Sequence, residues 1–183
     1  MAANKAGGAN VGDAMAAMGA VLGGANAGKK VEVVEFRVLK DMLPESLSGM
    51  NRTDATGEKN AAMGMAVSTA NGSYQNDQGG SIQLKITDIG SMTGLVGMAA
   101  YAWAASEIDR ETSTGYEKTT KFNGYKAHEK YDNSSKYGEL SVLVGDRFVV
   151  ESQGNSVDMN AIKDALGKVD LGKLDRMKNV GGQ

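Results

Sequence analysis

Gly115-Tyr-Glu-Lys-Thr-Thr-Lys-Phe-Asn-Gly-Tyr-Lys-Ala-His-Glu-Lys-Tyr131 sets two alternating runs on either side of Asn123-Gly124. Two such residues between alternating runs mark a β-hairpin with a type I′ turn, because both central positions need a positive φ. Closing the hairpin on Phe122 opposite Tyr125 sets every other pair. Thr120 meets Ala127, Lys118 meets Glu129, Glu117 meets Lys130 and Tyr116 meets Tyr131. Two opposite-charge pairs and two aromatic pairs form together, each contributing about 0.2–1 kcal/mol. A slip of one residue destroys all of them, so the body is built on an antiparallel sheet.

Upstream, Ile82, Leu84 and Ile86 alternate with Gln83, Lys85 and Thr87, the pattern of a strand with one face buried and one in water. The cluster Asn76-Asp-Gln-Gly-Gly80 is a turn. Before it, Met63, Met65 and Val67 alternate with smaller residues in a strand reaching Tyr74. Downstream, Asp132-Asn-Ser-Ser135 turns the chain again. Leu140 to Val144 and Arg147 to Val150 flank Gly145-Asp146, which suits a type II′ turn with glycine first. Val, Leu and Phe occupy both faces of these last strands and place them centrally.

Phe36, Leu39, Met42 and Leu43 have helical spacing, with Pro44 just beyond the end. The polar stretch Asn51 to Asn60 reads as a loop. Thr93 caps an expected helix running to Ser106, with Leu95, Met98, Ala99 and Ala102 as its stripe, widened by Val96 and Trp103. Asp158 caps a closing helix bearing Ile162, Ala165, Leu166 and Val169, and Asp170 caps a short turn through Leu174. The expected fold is therefore α+β: an antiparallel sheet of about six strands with two to three helices packed against it. Residues 1–30 read as a flexible Gly/Ala-rich arm. In it Val11, Met15, Met18 and Leu22 form a weakly amphipathic turn-and-a-half, interrupted by glycine. Residues 31–177 form one domain, and 178–183 a fraying tail.

Composition excludes several functions. The 20 basic and 22 acidic residues are dispersed and aromatics make up 5%, so neither a phosphate-binding block nor a base-stacking platform is present, and nucleic acid is not an expected partner. With no cysteine and one histidine, thiol nucleophiles, iron–sulfur clusters and thiolate or histidine-rich metal sites are excluded. The first ten residues lack the apolar run of a signal peptide. The longest apolar stretch, Leu95 to Ala105, is too short to span a bilayer.

Candidate chemistry is sparse. His128 falls on the side opposite Phe122, near Lys126 and Lys130, whose charges disfavour its protonation. It reads as an ordinary sheet histidine, and no G-x-S-x-G elbow accompanies it. Glu107, Asp109 and Glu111 cluster after the expected second helix, and Asp54 and Glu58 lie in the expected loop. Paired acids hydrolyse glycosides only where a cleft pushes their pKa values apart. Gly90-Ser-Met-Thr-Gly94 lacks both the P-loop ending and the dinucleotide spacing. Lys121 and Lys126 face each other beside Tyr125 at the hairpin tip. With His128 they form the candidate binding set, a basic tip that also guards an edge against aggregation.

Four stretches carry a resemblance: Lys29 to Glu45, Gly115 to Thr120, Gly124 to Tyr131 and Gly138 to Glu151. Over about Lys29 to Leu174 the chain resembles a group of uncharacterised bacterial proteins, exported or lipid-anchored, in which a polar linker precedes one such domain. In element order it is also similar to the small sandwich of the Mog1/PsbP type. The resemblance implies a cell-envelope or periplasmic location, with any membrane link made only through a tether absent from this chain, and no catalytic residues. The expected function is a non-enzymatic envelope module, without cofactor or metal, that binds a protein partner or assembles with itself. The alternative is a small-ligand carrier or a carboxylate-based hydrolase.

Overall fold

A computed structural model describes residues 32–62, 65–90 and 102–181. In chain order these form α1 (Phe36–Lys40), β1 (Ser46–Leu47), β2 (Met50–Ala62), β3 (Met65–Gln75), β4 (Ser81–Asp88), a 3-10 turn (Ala102–Ala105), β5 (Asp109–Glu111), β6 (Gly115–Phe122), β7 (Tyr125–Asp132), β8 (Tyr137–Val144), β9 (Phe148–Asn155), α2 (Met159–Gly167) and α3 (Leu171–Arg176). The strands make one sheet in the order β1-β2-β3-β4-β9-β8-β7-β6-β5, antiparallel throughout. Two meanders, β1 to β4 and β5 to β9, are joined where β4 pairs with β9.

This corrects the expected architecture. The described chain is mostly sheet, nine strands with three small helices, rather than an α+β fold of about six strands. The three additional strands are β1, β2 and β5. β1 and β5 have two and three residues, too few to leave a periodic pattern. β2 lies in the stretch read as a loop. On one face it carries polar side chains towards solvent, and on the other Ala55 and Gly57, so no apolar alternation marks it. The expected helix from Thr93 falls largely outside the described residues, and its described end is the 3-10 turn. The arm of residues 1–30 and Met63 also lie outside them.

The hairpin register matches the expected one at every pair, from Phe122↔Tyr125 to Tyr116↔Tyr131, and Asn123 and Gly124 have φ of 49° and 87°. The next tight turn differs. Gly145 and Asp146 both have positive φ (59° and 54°), a type I′ geometry rather than II′, and β9 starts at Phe148 rather than Arg147. Arg147 closes this turn, its N–H donating to the Val144 carbonyl at 3.2 Å while its own carbonyl accepts from Ile89 N–H at 3.2 Å.

The helices cover one face of the sheet. Ile82, Leu84, Ile86, Leu140, Val142, Phe148 and Val150 are buried there against Leu39, Ile162, Leu166 and Leu174. The central position of β8 and β9 agrees with their two-faced apolar pattern. Asp158 and Asp170 cap α2 and α3 as expected, accepting from the backbone N–H of Ala161 and Lys173 at 2.8 Å each.

A buried ion pair draws the first and last described segments onto this body. Arg147 Nε and Nη2 donate to the two oxygens of Asp88 at 2.8 Å each, with both residues almost fully buried. Asp88 also accepts from the backbone of Val34 and Gly90 at 2.7 and 2.8 Å. Arg147 spends its remaining donors on the carbonyls of Glu32, Lys178 and Val180 at 2.9, 3.0 and 2.6 Å. The Gly181 carbonyl accepts from Glu32 N–H at 3.2 Å.

Candidate functional site

The four residues singled out at the β6–β7 hairpin do not converge. Lys121 and Lys126 are directly opposed and exposed, and Lys126 Nζ donates to the Ala104 carbonyl at 3.1 Å. Tyr125 points to the other face and packs with Phe122 against the core. His128 lies part-buried beneath Trp103, ring centroids 5.8 Å apart, with Nε2 3.0 Å from Glu117 Oε1. Its nearest charged partner is therefore an acid on β6, one position diagonal to it, as well as the lysines of its own strand.

Glu117 is shared between His128 and Arg110 of β5. The hydrogen bond from His128 chiefly, then those from Arg110, hold its carboxyl below the ordinary glutamate range despite some desolvation. A carboxylate held by Arg110 on one side and His128 on the other ties β5, β6 and β7 together, which leaves it little basicity for proton transfer. An open depression beside the hairpin is walled by Trp103, Ala105, Ile108, Thr119, Lys121 and Lys126. Glu107, Asp109 and Glu111 are exposed along the outermost strand and its approach. A second concavity of about 270 Å³, between Leu47, Met50 and α2, is smaller than typical ligand sites. Among the described residues no three acids or histidines gather as a metal site.

Glu129 was visible in the sequence only as one partner of a charge pair. The alternation of β7 puts it on the core side with Ala127 and Tyr131, and there it is buried. Tyr116 Oη donates to Oε1, and Lys163 of α2 pairs with Oε2 at 2.9 Å. This network pins the closing helix to the hairpin.

The outer edge of β2 stands apart from these structural ties. β1 pairs only with Met50 and Asn51, so among the described residues nothing pairs with β2 from Thr53 to Ala62 on that side. The phase of the exposed backbone follows from the ladder. Ala62 pairs with Met65 across a two-residue connection, and such a connection closes on a hydrogen-bonded pair. Counting back by twos, Asn60, Glu58, Thr56 and Asp54 bond to β3, while Ala61, Lys59, Gly57 and Ala55 present N–H and C=O outward. The other end gives the same phase: Met50 bonds to β1, Asn51 to β3, and the extra residue at Thr53 restores the alternation. The side chains at the outward positions are small except Lys59, which is drawn to Glu35 at 2.9 Å. Phe36 lies over Gly57 on the helix-covered face, leaving no room for a Cβ. The edge extends about 30 Å at the usual strand rise.

Compared with family models, characterised proteins and solved structures, the chain finds no match.

Proposed function

We propose that this chain is a non-catalytic module that binds protein by strand addition along the outer edge of β2. The observation that carries the reading is the run of outward backbone groups at Ala55, Gly57, Lys59 and Ala61, unpaired among the described residues. An extended segment laid beside them forms main-chain hydrogen bonds without any rearrangement of the sheet. Natural sheets blunt such edges with proline, lysine or bulges. β2 has no proline, one bulge at its base, and one outward lysine that is already engaged.

Proline at an outward edge position removes a donor and leaves the β3 ladder intact. Ala55→Pro and Ala61→Pro are therefore expected to abolish cross-linking to a partner or to another copy, while the melting temperature stays within a few degrees of the parent. A protein that is monomeric by light scattering and cross-links to nothing would remove the reading. So would proline variants that associate as well as the parent. An envelope location, implied by the resemblance, is part of the same proposal. Cell fractionation tests it, and a cytosolic protein would remove the location while leaving the edge in place.

A further inference from the structure

We infer that the occupant of the β2 edge is the β2 edge of a second copy, paired antiparallel about a two-fold axis through Gly57. This rests on the strand-addition reading and names its partner.

A two-fold normal to the sheet keeps both helix-covered faces on the same side. It therefore opposes residues of equal parity, so outward groups meet outward groups. The possible centres can then be compared by overlap and charge. Centred on Gly57, the span Thr53 to Ala61 overlaps itself completely. Thr56 then faces Glu58, Asp54 faces Asn60, and Lys59 faces Ala55, with no like charges opposed. Centred on Thr56, Asp54 faces Glu58. Centred on Glu58 or Lys59, each of these meets its own copy. Like charges directly opposite destabilise a pair. Centres nearer either end forfeit overlap, because β1 occupies the base of the edge and the strand ends at Ala62. The charge pattern of the strand is thus compatible with itself in one full-length register.

The covered face agrees. Gly57 carries no side chain at the axis, and the half-buried Phe36 ring sits directly over it, so the two-fold brings two such rings side by side. The helix bearing Phe36 also carries Val38, one of two large apolar side chains exposed among the described residues. The product is one continuous sheet running through both copies.

The chain has no cysteine, so engineered ones report the register without background. Thr56 and Glu58 are exposed, and in this register they form a directly opposed, non-hydrogen-bonded pair. Their Cα atoms would be about 4.5 Å apart, within disulfide reach. Thr56→Cys and Glu58→Cys proteins mixed in equal amounts and mildly oxidised should give the mixed dimer well above either homodimer. Light scattering should read a dimer, and Ala55→Pro should weaken it at least roughly tenfold, since one outward donor is lost on each copy. A statistical mixture of disulfides, or a dimer indifferent to Ala55→Pro, overturns the register. A protein that stays monomeric yet cross-links to another chain, with that capture lost in Ala55→Pro, overturns self-pairing and leaves strand addition standing. A monomer with no cross-link removes both.

Discussion

Glu129 is 2% exposed on a strand whose other core-side residues are Tyr125, Ala127 and Tyr131. Burial by itself would raise its carboxyl pKa. Hydrogen bonds from Tyr116 and Lys163, with the charges of Lys163 and Lys118, outweigh burial and hold it below the ordinary value of 4.5. The same contact, added to burial, pushes the Tyr116 phenol up. The folded carboxyl therefore gives up its proton more readily than the unfolded one. Its stabilising contribution is complete above the ordinary value and is lost as pH falls through the lowered one. Urea unfolding between about pH 3 and 6 should show stability falling toward acid, with a shallower fall in Glu129→Gln. Glu117, and Asp132 held down by hydrogen bonds from Ser134 and Ser135, are shifted in the same direction and add to the slope. A variant with the parent's pH slope would disprove the assignment. Alternation placed Glu129 on the inner face. Only the arrival of Lys163 from α2 explains how a charge is tolerated there.

At the scale of elements, the closing helix sits where two glycines pair. Gly138 lies opposite Gly154, and a Cβ on Gly154 would fall 2.5 Å from Val157 Cγ2 and 2.6 Å from Ile162 Cγ1. Missing side chains thus form the seat into which α2 presses Ile162. Gly154→Ala should cost roughly 1–3 kcal/mol by overpacking in chemical denaturation. Gly167→Ala at the end of the same helix, where a Cβ meets only Phe122 at 3.8 Å, should be neutral or slightly stabilising. Equal effects at both sites would show that the seat is not tight. Elements with strong local signals were legible in advance: β4, the β6–β7 hairpin with its register, and the two aspartate-capped helices. β2 was not, because a strand with solvent on one face and small residues on the other has the composition of a loop. The proposed site was missed for the same reason.

Across the whole molecule, the Asp88–Arg147 pair joins residues 59 positions apart and gathers both ends of the body. Arg147 reaches Glu32 near one end and Lys178 and Val180 near the other. Removing one member of a buried, fully hydrogen-bonded pair leaves the other charge unpaired, so Arg147→Met should cost about 3–5 kcal/mol in urea unfolding. Amide exchange at Val34, whose N–H bonds to Asp88, should accelerate with it. A loss below about 1 kcal/mol would mean that the ends are held by other contacts. Among the described residues no helix is long and apolar enough to cross a membrane.

Sequence alone determined what neighbours along the chain decide: alternation, the Asn-Gly turn and its register, and the helix caps, because these depend on backbone preference and on pairs a few residues apart. Tertiary structure decided which polar stretch joined the sheet, which acids lost their water, and which edge has no partner strand among the described residues. Those outcomes depend on desolvation and pairing between segments far apart in the chain, and no local pattern records where such segments meet.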